Sequence, residues 1–362
     1  MNELKYLFNK DITSSFEAIP IPSSNTVIIY PPTINWDWMK QRPQQIMEQF
    51  ALHGYQVYYC NMTQRKDRLY TQLAENLTII HNNSYFVKES IPALKKAKKK
   101  ILVWSSWSKL FPFLPLYEPD HIVYDYLDDM PQWVSYLNGM VEMADAVVTT
   151  AYELNKQIET NFPNKSSYFI PNGCTIDRFN SIKSPPIPKE FQGHSGPIIL
   201  YSGAWANWVD IDLVEKIAYK YPEALIAIVG AEFNAVVNKE IPNICYIGHQ
   251  SYENLPAYIC NSTVCMIPFL INSITVAANP IKAYEYLAAN KPVVSTNLPE
   301  VKEMPGIYTA SSHEEFISNI GFILAGEIKF PANEVNEWLK EQTWHYRFGQ
   351  IQKMLSRFQI EN

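Results

Sequence analysis

The sequence predicts two doubly wound α/β domains joined by a linker, and three observations carry that reading. Short apolar, β-rich runs alternate with longer helix-period stretches along nearly the whole chain. The alternation stops at "NSIKSPPIPKEFQGHSGP", a stretch rich in Pro, Ser and Gly with no periodicity, and then resumes. The chain has 362 residues, too many for one ordinary core and suited to two. The predicted division is a first domain over 1–180, a linker over 181–197, a second domain over 198–340 and a C-terminal helix over 341–362 that packs back on the first domain.

In the first half, strands are expected at "TVIIY" (26–30), "QVYYC" (56–60), "LTIIH" (77–81), "KILVWSS" (100–106), "HIVYDYL" (121–127) and "DAVVTT" (145–150). Several are apolar on both faces, which is the mark of parallel strands covered by helices on either side. Helix-period stretches lie between them. "QRPQQIMEQFALHG" is one, and its final Gly suits a helix C-terminus. The second half repeats the scheme with strands at 198–203, 225–230, 244–248, 264–269 and 292–296, and helices at 210–221 and 280–289. The last stretch, 334–358, reads as one long helix with an aromatic and basic face, "WHYRFGQIQKM".

Composition narrows the function. Apolar residues make up 47% and charged residues 18%, a folded rather than disordered balance. A net charge of -6 argues against nucleic acid as a partner, since phosphate binding needs surplus Lys and Arg. The five cysteines are scattered without CxxC or metal-type spacing and read as buried free thiols of a reducing compartment. "MNELKYLFNKDITSS" has no apolar leader core, and no window reaches the roughly 18 apolar residues of a membrane span. The expected location is the cytoplasm, either free or lying on the inner face of a membrane.

The chemistry gathers at "NPIKAYEYLAANKPVVSTNLPEV", from Asn279. Ligands of open α/β sheets collect beyond the carboxyl ends of strands, where loops turn into helices. A polar loop after "VCMIPF" leads to a helix that opens near Pro280, with Pro expected in its first turn. The free N–H groups and dipole of that turn favour an anion. Lys282 stands in the same turn, where a cation conflicts with the dipole unless an anion pairs with it. Glu285, about a turn further on, reads either as a solvent-facing or capping carboxylate or as an acceptor for neighbouring hydroxyls. A nucleoside diphosphate, with phosphates and vicinal ribose hydroxyls, meets both demands.

This segment resembles the nucleotide-sugar site of GT-B glycosyltransferases, in particular the large family 4, whose Glu-x-x-Ala helix runs into a Pro-Val-Val strand. "IPNGCTIDRF" (170–179) resembles the turn that closes the first domain in that family. "ILYSGAWANWVDIDLVEKIAYKYPEALIAIVG" (199–230) resembles the opening of the second domain, and "NICYIGHQSYENLPAYICNSTVCMIPF" resembles the strand–helix–strand that follows. "WDWMKQRPQQIMEQFALHGYQVYY" is similar to the first-domain helix of cell-surface polysaccharide enzymes such as the teichuronic acid transferases. The resemblance covers about two thirds of the chain in the expected order. It implies a GT-B fold, two Rossmann-like domains facing across a cleft, and transfer of a hexose from a UDP- or GDP-sugar to a glycan or lipid-linked acceptor. It also implies retention of anomeric configuration. The donor is a substrate, and no cofactor or metal is expected.

By the same resemblance Glu285 binds the ribose, and Ala278, Asn279, Pro280 and Ile281 with Lys282 hold the diphosphate and stabilise the leaving group. Tyr246, Gly248 and His249 border the base, and Gly203 lets the chain pass close to the phosphates; a plain tight turn is the other reading of Gly203. The chain departs from the family twice. Ala277 stands where the family has a second Glu near the transferred sugar. The family's basic pair after the first strand of the second domain is missing, its place taken by Trp205, Asn207 and Trp208 in "GAWANWVD". Lys282 is a substitute for the missing charge, as are Arg42 and Lys40 of the first domain.

On the acceptor side, "VYDYLDDMPQW" places Asp125, Asp128 and Asp129 at a strand end. Asp128 and Asp129 are candidates for general-base or acceptor-binding work, with a helix N-cap as the other reading. Trp36, Trp38 and Arg42, in "PPTINWDWMKQRP", offer indoles for stacking on a sugar or, alternatively, packing groups for the core or a lid. Lys95, Lys96, Lys98, Lys99 and Lys100 form a basic run that is either a solvated face or a contact for an anionic membrane surface. Two other functions remain in view: a non-catalytic GT-B-fold partner that binds glycan or nucleotide, and a nucleotide-sugar 2-epimerase.

Overall fold

The computed structural model describes residues 2–8, 18–180 and 185–360. Two compact units divide the chain, one running to Pro171 and taking in the segment from Arg347 onward, the other spanning Asn172–Tyr346.

The first unit is built on eight strands: β1 (Thr26–Tyr30), β2 (Gln56–Cys60), β3 (Tyr70–Ala74), β4 (Leu77–Ile80), β5 (Lys100–Ser105), β6 (His121–Tyr126), β7 (Ala146–Thr149) and β8 (Ser167–Phe169). They lie in the order β3-β4-β2-β1-β5-β6-β7-β8. Every pairing is parallel except that of the edge strand β3 with β4. All five residues of β1 and of β2 are buried, which accounts for their unbroken apolar reading. The helix Arg42–Leu52 follows β1 and ends with Gly54 in the left-handed region, φ 87°. Strand order reverses between β1 and β5, so the loops after those two strands flank the switch point of this sheet.

In the second unit, β9 (Ile198–Ser202), β11 (Leu225–Val229), β13 (Ile244–Gly248), β14 (Val264–Ile267), β15 (Val293–Thr296) and β16 (Ile307–Ala310) form an all-parallel sheet in the order β13-β11-β9-β14-β15-β16. A two-residue pair, β10 (Trp205–Ala206) with β12 (Glu232–Phe233), sits beyond the ends of β9 and β11. The order reverses between β9 and β14, which fixes the switch point between the loop at Gly203 and the loop leading to Pro280.

Four expectations need correction. The boundary between the units falls at Pro171–Asn172 rather than at 180, because the segment after it is tied into the second unit: Cys174 N donates to Gln342 O at 2.9 Å and Trp344 N to Cys174 O at 3.1 Å. Of the predicted linker, 181–184 lie outside the described residues. The remainder is a strap on the second unit, with Phe191 buried edge-on against Tyr258 at 5.6 Å and Tyr258 Oη donating to Glu190. The single helix over 334–358 is two, Ala332–Leu339 and Trp344–Leu355, broken where Thr343 pairs with Cys174 and its hydroxyl accepts from Tyr346 N. Strands β3, β8 and β16 were not foreseen; they are short or polar edge strands, which carry little periodic signal. Within the first unit, Phe348 of the last helix packs on Phe50 at 4.9 Å and on the His53 ring at 4.4 Å.

Candidate donor site on the second unit

The loop after β14 is ordered by its own chemistry. Asn272 caps a short turn, Ser273–Val276, by accepting from the N–H groups of Ile274 and Thr275, and the Thr275 hydroxyl oxygen accepts from Asn272 N. The chain then passes through Ala277 and Ala278 into the helix Ile281–Ala288. Pro280 occupies the cap position rather than the first turn, with φ -74° and ψ 114°, and its carbonyl accepts from Ala283 N at 3.1 Å. No side chain caps this helix, so among the described residues the N–H groups of Ile281 and Lys282 meet no acceptor. They form the open, partly positive end that suits an anion.

Lys282 projects from this first turn over two aromatic rings, Tyr201 at 4.1 Å and Phe269 at 4.7 Å. Gly203 makes room for it. A Cβ there would stand 2.6 Å from Lys282 Nζ, and its φ of +132° disfavours any other residue. Gly230, on the neighbouring strand end, is just as constrained: a Cβ would fall 1.9 Å from the Gly203 carbonyl. Sequence reasoning singled out Gly203 and passed over Gly230, although both end apolar strands in the same way.

Glu285 is buried, 6% exposed. Burial pushes its carboxyl up to about 7, against the pull of the Tyr252 hydroxyl and the charges of Lys282 and Arg178. Burial also pulls the Lys282 ammonium down to about 7, with Glu285 opposing. Burial thus disfavours the charged form of both groups, a perturbation that gathers at binding and catalytic sites. Arg178 and Tyr252 were missed by sequence reasoning. The guanidinium of Arg178 lies 4.2 Å from the Tyr252 ring centre, and Arg178 comes from the "IPNGCTIDRF" motif. Arg178 and Tyr252 both fall inside segments that resemble the family, but spacing alone does not say that they act on Glu285.

The other predicted donor residues divide. Tyr246, on β13, carries Lys239 Nζ over its ring at 4.5 Å, and Lys239 also lies 3.7 Å from Glu232. Gly248 accepts from Gly230 N at 2.8 Å, and His249 is exposed. These three sit at the end of the sheet's edge strand, two strands away from β9. Asn279 is buried with its side chain committed to protein partners, so any part it plays in holding phosphate is through the backbone.

In the first unit the picture differs from expectation. Arg42 is 1% exposed, donates from Nε to both oxygens of Asp125 at 3.0 and 2.9 Å, and reaches the Pro171 carbonyl at 3.0 Å. Trp104 Nε1 donates to the same carboxylate at 3.1 Å. Arg42 is therefore a core ion-pair residue, not an acceptor ligand or a spare cation. Lys40 is likewise engaged, with both Glu48 oxygens at 2.6 Å. Asp129 accepts from Tyr126 Oη at 3.0 Å and Gln157 Nε2 at 3.2 Å, bonds that anchor its loop, and it caps neither of the helices that follow. Asp128 is exposed. Trp36 packs edge-on against Tyr59 at 5.0 Å while its main-chain N–H donates to Asn61 Oδ1, and Trp38 is the more open indole, 49% exposed. In the basic run, Lys95 pairs with Asp120, Lys99 with the Ser23 carbonyl and Lys100 with the Gln359 carbonyl at 3.5 Å; Lys96, Lys98 and Lys100 are exposed.

Among the described residues, one group has metal-ligating spacing: Asp210, Asp212 and His313. Its members are engaged with one another and with Lys216, and Asp210 also caps the helix Ile211–Lys220. No helix of the described residues is long and apolar enough to cross a membrane.

Comparison with known proteins agrees with this reading of the fold. Residues 196–325 match the family model of group 1 glycosyl transferases. Over 308 residues the chain is 25% identical to TuaH of Bacillus subtilis (strain 168), named for teichuronic acid biosynthesis, covering 75% of this chain and 76% of that one. Sucrose-phosphate synthase from Thermosynechococcus elongatus superposes with a TM-score of 0.72 at 14% identity, covering 92% of this chain and 99% of the other. HepE of Anabaena, solved with UDP and glucose, does so with a TM-score of 0.66 at 12% identity, covering 91% and 99%. The resemblance to GT-B glycosyltransferases drawn from the sequence is borne out.

Proposed function

For this chain, a group 1 glycosyltransferase of the GT-B fold, we propose a specific reaction. It moves a sugar from a nucleoside diphosphate donor, a UDP- or GDP-sugar, to a glycan or lipid-linked acceptor in cell-surface polysaccharide synthesis, retaining anomeric configuration. The observation that carries the donor half is the placing of buried Glu285 and Lys282 on one helix start whose amides are open. Glu285 accepts from the ribose hydroxyls. The amides of Ile281 and Lys282, with the Lys282 ammonium, face the diphosphate and meet the negative charge that grows on it as the bond to the sugar breaks. Gly203 keeps the opposite wall of the switch point free of side chain. These groups neutralise the leaving diphosphate without a metal in the mechanism. Tyr246, Gly248 and His249 border the base. On the acceptor side Asp128 takes the base or orienting role, because Asp129 is spent on Tyr126 and Gln157, and Trp38 offers a stacking face. The UDP and glucose held by HepE and the teichuronic acid name of TuaH support the donor class and the kind of product.

The enzyme works in the cytoplasm at the inner membrane face, with Lys96 and Lys98 as the part of the basic run open to anionic lipid. Co-sedimentation with anionic vesicles, lost in a Lys96→Glu, Lys98→Glu variant, tests that contact. One observation favours a second reading. Ala277 leaves the sugar-facing position of the family without a carboxylate, as expected of a partner protein that binds nucleotide or glycan without catalysis. A thermal-shift screen against nucleotides and nucleotide sugars tests the donor site, because a ligand of the folded state raises stability by mass action. UDP or GDP is expected to raise the melting point, and Glu285→Ala to abolish the rise. Nucleotide release with formation of a glycoside bond separates the enzyme from the partner protein.

A further inference from the structure

Asn172, the first residue of the second unit, is buried and makes two bonds to one neighbour 107 positions away. Its N–H donates to Asn279 Oδ1 at 3.1 Å, and its Nδ2 donates to the Asn279 carbonyl at 2.6 Å. Asn279 is held from other directions too. Its own Nδ2 donates to Glu300 Oε2 at 3.0 Å, and the Tyr284 hydroxyl donates to its Oδ1 at 3.1 Å. Tyr284 in turn stacks on Trp338 at 5.8 Å with the ring planes 12° apart. Asn279 stands immediately before Pro280, and so immediately before the open amides of Ile281 and Lys282. Four hydrogen bonds therefore set the direction from which the chain enters that turn.

The residue type fits the task. Through its amide nitrogen, asparagine can donate to a carbonyl while its main-chain N–H donates to a side-chain oxygen on the same partner. A buried polar network with its members satisfied gives rigidity rather than flexibility. The Ile281 helix has only eight residues and no side-chain cap, so its entry geometry must be imposed from outside.

We propose that Asn172 is a positioning residue for the donor diphosphate: it clamps Asn279 so that the amides of Ile281 and Lys282 converge on the phosphate oxygens. The inference rests on the donor reading above. Asn172 touches no substrate; its effect passes through the backbone of Asn279. Preorganised donors lose their value steeply with displacement, and a misplacement of about 1 Å costs on the order of 100-fold.

The test compares nucleosides with nucleoside diphosphates on the full chain. Dissociation constants of UDP, GDP, uridine and guanosine are measured for the wild type and for Asn172→Ala and Asn172→Asp. The clamp predicts that the diphosphate's advantage over its nucleoside shrinks at least tenfold in both variants while nucleoside affinity stays within twofold. Asn172→Asp keeps size and shape but loses the Nδ2 donor, so it decides the matter if Asn172→Ala does not unfold cooperatively. Equal loss of nucleoside and diphosphate affinity would mean a general loosening and would overturn the clamp, as would an unchanged ratio. A wild type that binds neither UDP nor GDP would bring down the donor reading itself, an outcome distinct from failure of the clamp.

Discussion

Replacing Glu285 by glutamine keeps the size of the side chain and removes a charge that its surroundings disfavour. In the folded protein the carboxyl titrates at about 7, against 4.5 for an ordinary glutamate. That gap corresponds to roughly 3 kcal/mol at about 1.4 kcal/mol per unit. For a carboxyl whose folded value is raised, folding binds extra protons, so the penalty is absent below the unfolded value. It grows between 4.5 and about 7 and is complete above that. Glu285→Gln is therefore expected to stabilise the ligand-free protein at pH 8 and to make little difference near pH 4.5. Some of the gain is returned because Glu285 supports the charge of Lys282, leaving about 2 kcal/mol, or a rise of roughly 4–8 °C in melting temperature for a unit of this size. The same change should weaken UDP or GDP binding about 10- to 100-fold, the usual range for losing hydrogen bonds to a charged acceptor. Urea unfolding at the two pH values and calorimetric titration of nucleotide are the assays. A variant less stable than wild type at pH 8, or equally stabilised at both pH values, refutes the account of Glu285 as a buried, strained carboxylate. Unchanged nucleotide affinity removes it from the site.

Other outcomes follow from the same geometry. Lys282→Met should lower affinity for UDP far more than for uridine. In the wild type the diphosphate's advantage should decline as pH rises above about 7, because the free lysine, pulled down to that value, loses its proton; titration at several pH values checks both. Asp129→Asn should lower the urea midpoint through the lost contacts to Tyr126 and Gln157, whereas Asp128→Asn, which removes a carboxyl pushed up to about 6 by desolvation, should not lower the midpoint and should reduce turnover with the acceptor. Arg42→Ala should destabilise the first unit by about 3–5 kcal/mol, since it leaves the Asp125 carboxylate buried without its cation. Denaturation followed by tryptophan fluorescence reads that loss.

Much of the fold around the candidate site is legible in the sequence. Burial on both faces of β1, β2, β9 and β11 shows as unbroken apolar runs, because a parallel sheet offers its strands no wet side. The loop–helix transition at Pro280 shows in local residue types, and so does the conflict of a lysine in a first helical turn. Those signals are short-range, and a sequence states them directly.

What it could not state is which distant groups meet. Arg42 reads as an acceptor-site residue or a substitute cation because its spacing from Trp38 says nothing of Asp125, 83 positions away. Asp128 and Asp129 are neighbours with equivalent local context, yet only Asp129 meets Gln157 on another helix. The unit boundary at Pro171–Asn172 carries no composition change; it is drawn by the pairing of Cys174 with residues 342 to 344. Arg178 and Tyr252 act on Glu285, and Asn172 bonds to Asn279, across separations of 33 to 107 positions that no local pattern spans. Local pattern records which strands and turns form, while the burial and the partner of a polar side chain are decided only when the chain closes on itself.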